Sequence, residues 1–434
     1  MRPAARLQAA IELLDSIRGG TLPADRVIER YFRDRRYAGS KDRRAVIARV
    51  FAILRDRAPL AWRMAQGSDQ PVDAVMERAT GRELALIHAA VTAPADLALF
   101  GEGGAHAPEV LSDAEKALAQ GAPGMALARA PDWVRLGYPA WLDASLRRRF
   151  GAQLDTEMAA LNARAPLDLR AQLGDRDLLM RELKEQGLAA IATPISPWGI
   201  RLAESHPLGT VDAYRRGAVE VQDEGSQLVA ALALARPGET VIDLCAGAGG
   251  KALALASVMD DRGVVLACDI DARRLAELEP RQRRADLRSI RPLVLRDGAP
   301  ELNAWTARAD AVLVDAPCTG MGTWRRAPDA RWRLLPETLA KSHALQTETL
   351  TLAAPLVRPG GRLVYAVCSL LPEEGEAQAE AFLTAHPDFT VAPPAARWAA
   401  ADLGGTPPEG PWAVLTPARH GTDGFFIAVF TRSG

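Results

Sequence analysis

Two cysteines stand where a thiol could do chemistry. Cys318 closes the run AVLVDAPC, at the point where an apolar stretch breaks into the loop TGMGTWRRAPDARWR. Cys368 closes GRLVYAVC, ahead of Ser369 and a Leu-Pro break, and Asp315 lies just before Cys318. Free cysteines are often no more than small buried hydrophobes, and Cys268, inside VVLACDI, is read that way. Cys318 and Cys368 differ because loops, not core segments, follow them. A thiolate can form a covalent intermediate, and a neighbouring carboxylate can move the protons such a step needs.

A second group of residues suits a cofactor. VIDLCAGAGGK places Asp243 at the end of one apolar run and Gly247, Gly249 and Gly250 in the turn that follows. Glycines let a backbone approach a ligand closely. Asp269 ends the next run, where a carboxylate can accept both hydroxyls of a ribose, and Asp297, in LRDG, ends the third. Any one of these acids could be a helix cap or a turn residue. Three at successive strand ends favour a nucleoside-bearing cofactor. The loop lacks the GxxxxGK[ST] phosphate cradle and misses the spacing of GxGxxG, which counts against ATP and NAD and for S-adenosylmethionine.

The elements needed to position these groups are visible in the pattern. From residue 226 onward, short runs rich in β-branched residues (TVIDLCA, GVVLACDID, RPLVLRDG, DAVLVDAPC, GRLVYAVCS) alternate with helical stretches such as KALALASVM and PETLAKSHALQTETLTLAAPLV. That alternation implies a doubly wound parallel sheet, with FFIAVFTR as a final edge strand. Ligands bind beyond the carboxyl ends of such strands. The fourth and fifth strands are normally neighbours, about 5 Å apart, so both thiols are expected to face one pocket. Residues 126–225 read as a small α+β unit: PLDLRAQL as a strand, DRDLLMRELKEQG as a helix, PISPWGIRLAE as extended. Residues 1–125 read as helical, with helical spacing in LQAAIELLDSI and DRRAVIARVFAILRDR. Eleven basic residues face four acids between Arg26 and Arg57. This is either a solvated helical face or a nucleic-acid surface.

What would use a thiol beside a methyl sulfonium? Methylating nitrogen or oxygen needs no covalent help, because a lone pair is available. Carbon 5 of a pyrimidine has none. A thiolate adding to carbon 6 makes the ring electron-rich there, and a base must afterwards take the carbon 5 proton so that the thiol can leave.

Composition narrows the classes. The chain has 434 residues, net charge −1 and 48% hydrophobic residues, enough for two or three domains. No segment approaches the roughly 18–20 apolar residues of a membrane span. Glu12 and Asp15 interrupt the apolar N-terminal stretch, against a signal peptide. Four widely spaced cysteines, Cys245, Cys268, Cys318 and Cys368, offer no CxxC metal signature and suit a reducing, cytoplasmic setting. No metal is expected. Lysine occurs only five times; the arginine excess reflects either compositional bias or phosphate recognition. Lys251 in the glycine loop is therefore unusual. It is expected in the pocket, hydrogen-bonded near Asp315 or the substrate.

The stretches VQDEGSQLVA, DLCAGAGGK, CDID, LRDG, DAPCTGMGTWRRAPDARWR and VCSLLPEEGEAQ resemble the RNA cytosine-5 methyltransferases of the Nop/Sun type, in their RsmB branch. The resemblance implies a Rossmann-like class I S-adenosylmethionine-dependent methyltransferase domain over 226–434. It also implies a small RNA-binding unit over 126–225 and a NusB-like helical RNA-binding domain over 1–125. It makes Cys368 the nucleophile and Cys318 the group that helps release product. Cys245, Ala246, Gly247, Ala248, Gly249, Gly250, Lys251, Asp269, Asp297 and Asp315 become the S-adenosylmethionine site. Ala248 departs from the family's usual proline, which removes a fixed φ but no functional atom. Trp324, Arg325, Arg326 and Arg331 are expected on an RNA-facing rim, where guanidinium and aromatic planes stack on bases. Trp332 could join them or pack the loop, and packing is preferred. The substrate is read as a cytosine of 16S ribosomal RNA and the enzyme as a monomer. Transfer RNA, or a non-catalytic RNA-binding or antitermination role, are the alternatives.

Overall fold

The structure, a computed structural model, describes residues 1–66, 70–104, 106–172, 174–203 and 206–434. Ala105, Leu173 at the end of PLDLRAQL and Glu204 at the end of PISPWGIRLAE lie outside the described residues. The chain divides into two compact units. One comprises Met1–Arg147, Ala152–Asn162 and Arg326–Leu334; the other comprises Arg148–Gly151, Ala163–Arg325 and Leu335–Gly434.

The first unit is helical. In the helix Pro3–Arg18, Leu7, Ala10, Ile11, Leu14 and Ile17 are buried, the stripe of a helix that faces a core. It packs with Val50 and Ile53 of the helix Ser40–Arg55 and Leu86 and Ile87 of the helix Gly81–Thr92. Gly81–Thr92 starts on a capping box: Thr80 Oγ1 accepts from Glu83 N (3.2 Å) and Glu83 Oε2 from Thr80 N (2.8 Å), satisfying two otherwise orphaned N–H groups. The unit runs beyond the expected limit at 125. It includes the helices Asp132–Leu136 and Leu154–Asn162 and, from the C-terminal half of the sequence, Arg326–Leu334.

The second unit opens with a small antiparallel sheet of β1 (Leu167–Ala171), β2 (Ala190–Ala192), β3 (Gly199–Leu202) and β4 (Val219–Val221), in the order β2-β3-β1-β4. The helix Arg176–Glu185 buries Leu179 and Leu183 against Leu169, Ile200 and Val219. The larger sheet follows: β5 (Thr240–Asp243), β6 (Val264–Asp269), β7 (Ile290–Val294), β8 (Ala309–Asp315), β9 (Val357–Val367), β10 (Phe389–Val391), β11 (Ala413–Leu415) and β12 (Phe425–Arg432). Its order is β10-β12-β9-β8-β5-β6-β7, with β11 also paired to β12. Strands β5 to β9 are parallel. β5, β6 and β8 are buried on both faces, which is why they read as nearly continuous apolar runs. One expectation is corrected. FFIAVFTR is not an edge strand: β12 runs antiparallel between β9 and β10. Its residues Phe425–Phe430 are all buried, and an edge position would leave such side chains and their backbone groups open.

Candidate active site

The chain order reverses between β5 and β8, so a crevice opens at the carboxyl ends of the central strands. β8 and β9 are neighbours in register, Asp315 opposite Ala366. The residues just past their ends therefore share one place. Cys318 and Cys368 meet there, with their Sγ atoms 3.4 Å apart and either thiol able to donate. Both are half-buried. The Cys318 thiol is pushed well above its ordinary pKa, first by its hydrogen bond with Cys368, then by burial and the charges of Cys368 and Glu374.

Lys251, in the first turn of the helix Gly250–Val258, donates from Nζ to Asp315 Oδ2 at 2.5 Å. Burial alone would lower its pKa, but the charge and hydrogen bond of Asp315, with Asp243 nearby, outweigh it and hold the ammonium above its usual value. The Asp243 carboxylate nearby is only 1% exposed, with the Ala252 backbone N–H directed at it. Burial pushes it up to about 7, against the pull of Lys251 and with the push of Asp315 and Asp269.

The glycine loop is a tight turn between β5 and the helix Gly250–Val258. Gly249 adopts φ +81°, and a Cβ there would stand 2.3 Å from Leu278 Cδ1. Only glycine fits both constraints. Asp269 Oδ2 accepts from Gly247 N (2.7 Å) and Oδ1 from Asp271 N (2.8 Å), so this carboxylate shapes the loop and keeps a free lone pair on each oxygen. Ala246 N donates to Cys268 O (2.8 Å). Ala248 is held by its carbonyl, which accepts from Arg281 Nη1. Cys245 is half-buried; burial and then Asp243 raise its thiol well above the ordinary value. Asp297 is exposed beyond the end of β7. Cys268 is fully buried in the core.

Three residues expected on a surface rim are inside instead. Trp324 is 0% exposed. Arg325, 5% exposed, is clamped between Asp223 Oδ2 (3.0 Å) and Asp423, and also donates to Gly421 O (3.1 Å). Arg331, 0% exposed, donates to Gly137 O (2.8 Å), Leu161 O (3.3 Å) and Asn162 Oδ1. Each guanidinium is consumed by acceptors remote in sequence, which no local pattern reveals. Arg326 is exposed. Trp332 packs, its Nε1 donating to Leu54 O at 3.0 Å.

Sequence reasoning missed the support beneath the thiols. Glu374, 0% exposed, accepts from Thr319 N (2.9 Å), Thr319 Oγ1 and Gln346 Nε2 (3.0 Å). The clue available was an acidic pair in PEEGE so soon after an apolar strand.

The crevice, the glycine turn after β5 and the strand order define a Rossmann-like S-adenosylmethionine-dependent methyltransferase domain. The comparisons make the class specific. Residues 229–431 match the family model described as 16S rRNA methyltransferase RsmB/F, and residues 138–209 match the ferredoxin-like domain of RsmF/B-like methyltransferases. A probable ribosomal RNA small subunit methyltransferase B of Synechocystis sp. is 35% identical over 302 residues, 67% of this chain and 66% of that protein. A ribosomal RNA small subunit methyltransferase B of Erwinia tasmaniensis is 33% identical over 298 residues, 68% of this chain and again 66% of the relative. A methyltransferase homolog protein from Pyrococcus horikoshii superposes with TM-score 0.60 at 26% identity, covering 71% of this chain and 100% of that one. The crystal structure of PH0851 shares the fold along 99% of both chains, with TM-score 0.75 and 24% identity. The chain belongs to the RsmB/F methyltransferase family.

Proposed function

We propose that this protein methylates carbon 5 of a cytosine in RNA, 16S ribosomal RNA being the substrate its relatives' names favour. The observation that carries the reading is the thiol pair: two sulfurs 3.4 Å apart at the ends of adjacent strands, beside the Lys251–Asp315 ion pair. A nitrogen or oxygen methyltransferase has no need of them.

The loop from Cys245 to Lys251, with Asp269 and Asp297, would hold S-adenosylmethionine; the tight turn set by the positive φ of Gly247 and Gly249 and the free lone pairs of Asp269 suit it. When bound, that cofactor supplies the electrophilic methyl group that carbon 5 takes up. The chain's own residues do the rest. The Cys368 thiolate adds to carbon 6, forming a carbon–sulfur bond and pushing electrons toward carbon 5 and the ring heteroatoms. Lys251, kept protonated by Asp315, is a cation placed to stabilise that charge. Release needs the carbon 5 proton removed. Its bonding electrons then restore the 5,6 double bond, and the bond to Cys368 breaks, returning the thiolate. Cys318, in contact with Cys368, is assigned to this elimination: as its thiolate it takes the carbon 5 proton, and the thiol so formed later gives that proton up to solvent. Phosphate contacts come from the helical unit, where Arg26, Arg30, Arg33, Arg36, Lys41 and Arg44 are exposed and basic side chains attract phosphate.

Mapping 5-methylcytosine in total RNA with and without the gene tests the reading. One small-subunit ribosomal cytosine is expected to lose its mark. Loss at a transfer RNA position would move the substrate, and an unchanged map would overturn the assignment.

A further inference from the structure

The thiols do not hold themselves in place; the groups around Glu374 do. Its side chain is fully buried, its bonded partners are neutral donors, and all of them belong to the segments that carry the two cysteines or brace them. Oε1 accepts from the backbone N–H of Thr319, the residue after Cys318, and from Gln346 Nε2. Gln346, in the helix Pro336–Ala353, also donates to the carbonyl of Pro317, the residue before Cys318 (2.9 Å). Cys318 is thus gripped on both sides by one hydrogen-bonded pair. Oε2 accepts from Thr319 Oγ1, which lies 3.2 Å from Oγ of Ser369, the residue after Cys368. Ser369 Oγ accepts from Leu371 N (3.2 Å), and Glu374's own carbonyl accepts from Tyr365 OH (2.6 Å).

We propose that Glu374 is a positioning residue for the elimination step: through Thr319 and Ser369 it sets Cys318 against Cys368, and without it product release fails while attack survives. The proposal rests on the cysteine roles assigned above. It places Glu374 under Cys318 more directly than under Cys368, because two of its bonds end on Thr319, whereas Cys368 is also fixed as the continuation of β9. Loosening this support therefore displaces the releasing thiol first.

The test uses the full-length protein with unmodified 16S ribosomal RNA from cells lacking the gene, S-adenosylmethionine, and denaturing gels that count covalent protein–RNA adduct over time. Glu374→Leu removes both side-chain acceptor oxygens at similar size. It should lower turnover tenfold or more, with S-adenosylmethionine affinity unchanged and adduct that persists. Glu374→Gln keeps one acceptor oxygen for Thr319 N–H and should recover most of the turnover. Thr319→Val should slow adduct decay where Thr319→Ser does not. If Glu374→Leu fails to fold, the Thr319 pair decides: persistent adduct in the valine variant alone supports the proposal, and equal decay in both overturns it. Wild-type turnover by folded Glu374→Leu, or lost turnover with no adduct, also overturns it. Cys368→Ala and Cys318→Ala run in parallel separate the two levels. If Cys368→Ala still methylates, the cysteine reading itself is wrong; if both behave as assigned, a normal Glu374→Leu removes only the positioning role.

Discussion

At the residue scale the site is a set of ionisable groups that hold one another in unusual states. Asp243 is the clearest case, since burial pushes its carboxyl up to about 7 against the pull of Lys251. An aspartate in an unfolded chain titrates near about 3.9. Between those two values the folded state binds more protons than the unfolded one, so this group makes stability fall as pH rises through the window. Asp243→Asn removes that titration. The variant is expected to gain thermal stability relative to wild type on going from about pH 5 to about pH 8, and melting curves at both pH values check it. A constant difference would show that Asp243 does not titrate there. Much at this scale was readable in advance. Acids at successive strand ends and thiols after two apolar runs announce themselves by position, because side chains at the ends of parallel strands must face the crevice. The Lys251–Asp315 pair was legible for the same reason. Glu374 was not, because its meaning lies in bonds to Thr319 and Gln346 that only the tertiary fold creates.

At the scale of elements, the loop that follows Cys318 is stitched down rather than displayed. Gly322 N donates to Cys368 O (3.0 Å) and Gly424 N to Gly322 O (2.8 Å). The crossing is so close that a Cβ on Gly322 would meet Gly424 O at 2.1 Å. Arg325 then ends the loop between Asp223 and Asp423, with side chains only 5%, 7% and 4% exposed. Removing the cation leaves two carboxylates buried together. Arg325→Met is expected to destabilise the unit by about 3–5 kcal/mol, the usual cost of breaking a buried ion pair. Arg325→Lys should recover little, since a single ammonium cannot bridge both acids as a planar fork does. Denaturant titration measures both, and a loss under about 1 kcal/mol would mean the pair is energetically idle. The expected rim failed here for a physical reason. Tryptophan and arginine in a glycine loop suit base stacking and loop packing equally, and the deciding partners, Asp223 and Asp423, are far away in the sequence. Strand order fared better, because connections in parallel sheets follow few patterns. The exception was β12, whose interior place depends on β10 folding outside it.

At the scale of the whole molecule, sequence order and compact units do not coincide. Arg326–Leu334, written in the middle of the half that forms the large sheet, belongs to the helical unit. Arg331 bonds Gly137, Leu161 and Asn162, and Asp329 Oδ2 accepts from Ala24 N (3.0 Å). Arg331→Ala is therefore expected to speed hydrogen exchange in the helices Asp132–Leu136 and Leu154–Asn162 while leaving β5 and β6 protected. Faster exchange confined to the large sheet would contradict this. Such a composite unit is invisible to a reading that cuts the chain into consecutive domains. The assignment of unequal tasks to the two thiols is tested most directly by comparing two single substitutions on a denaturing gel. With a cytosine-containing target RNA and S-adenosylmethionine, Cys318→Ala should accumulate a protein–RNA adduct that resists denaturant, and Cys368→Ala should form none and transfer no methyl group. Adduct with Cys368→Ala alone would exchange the roles, and full turnover by both variants would contradict covalent catalysis by these cysteines.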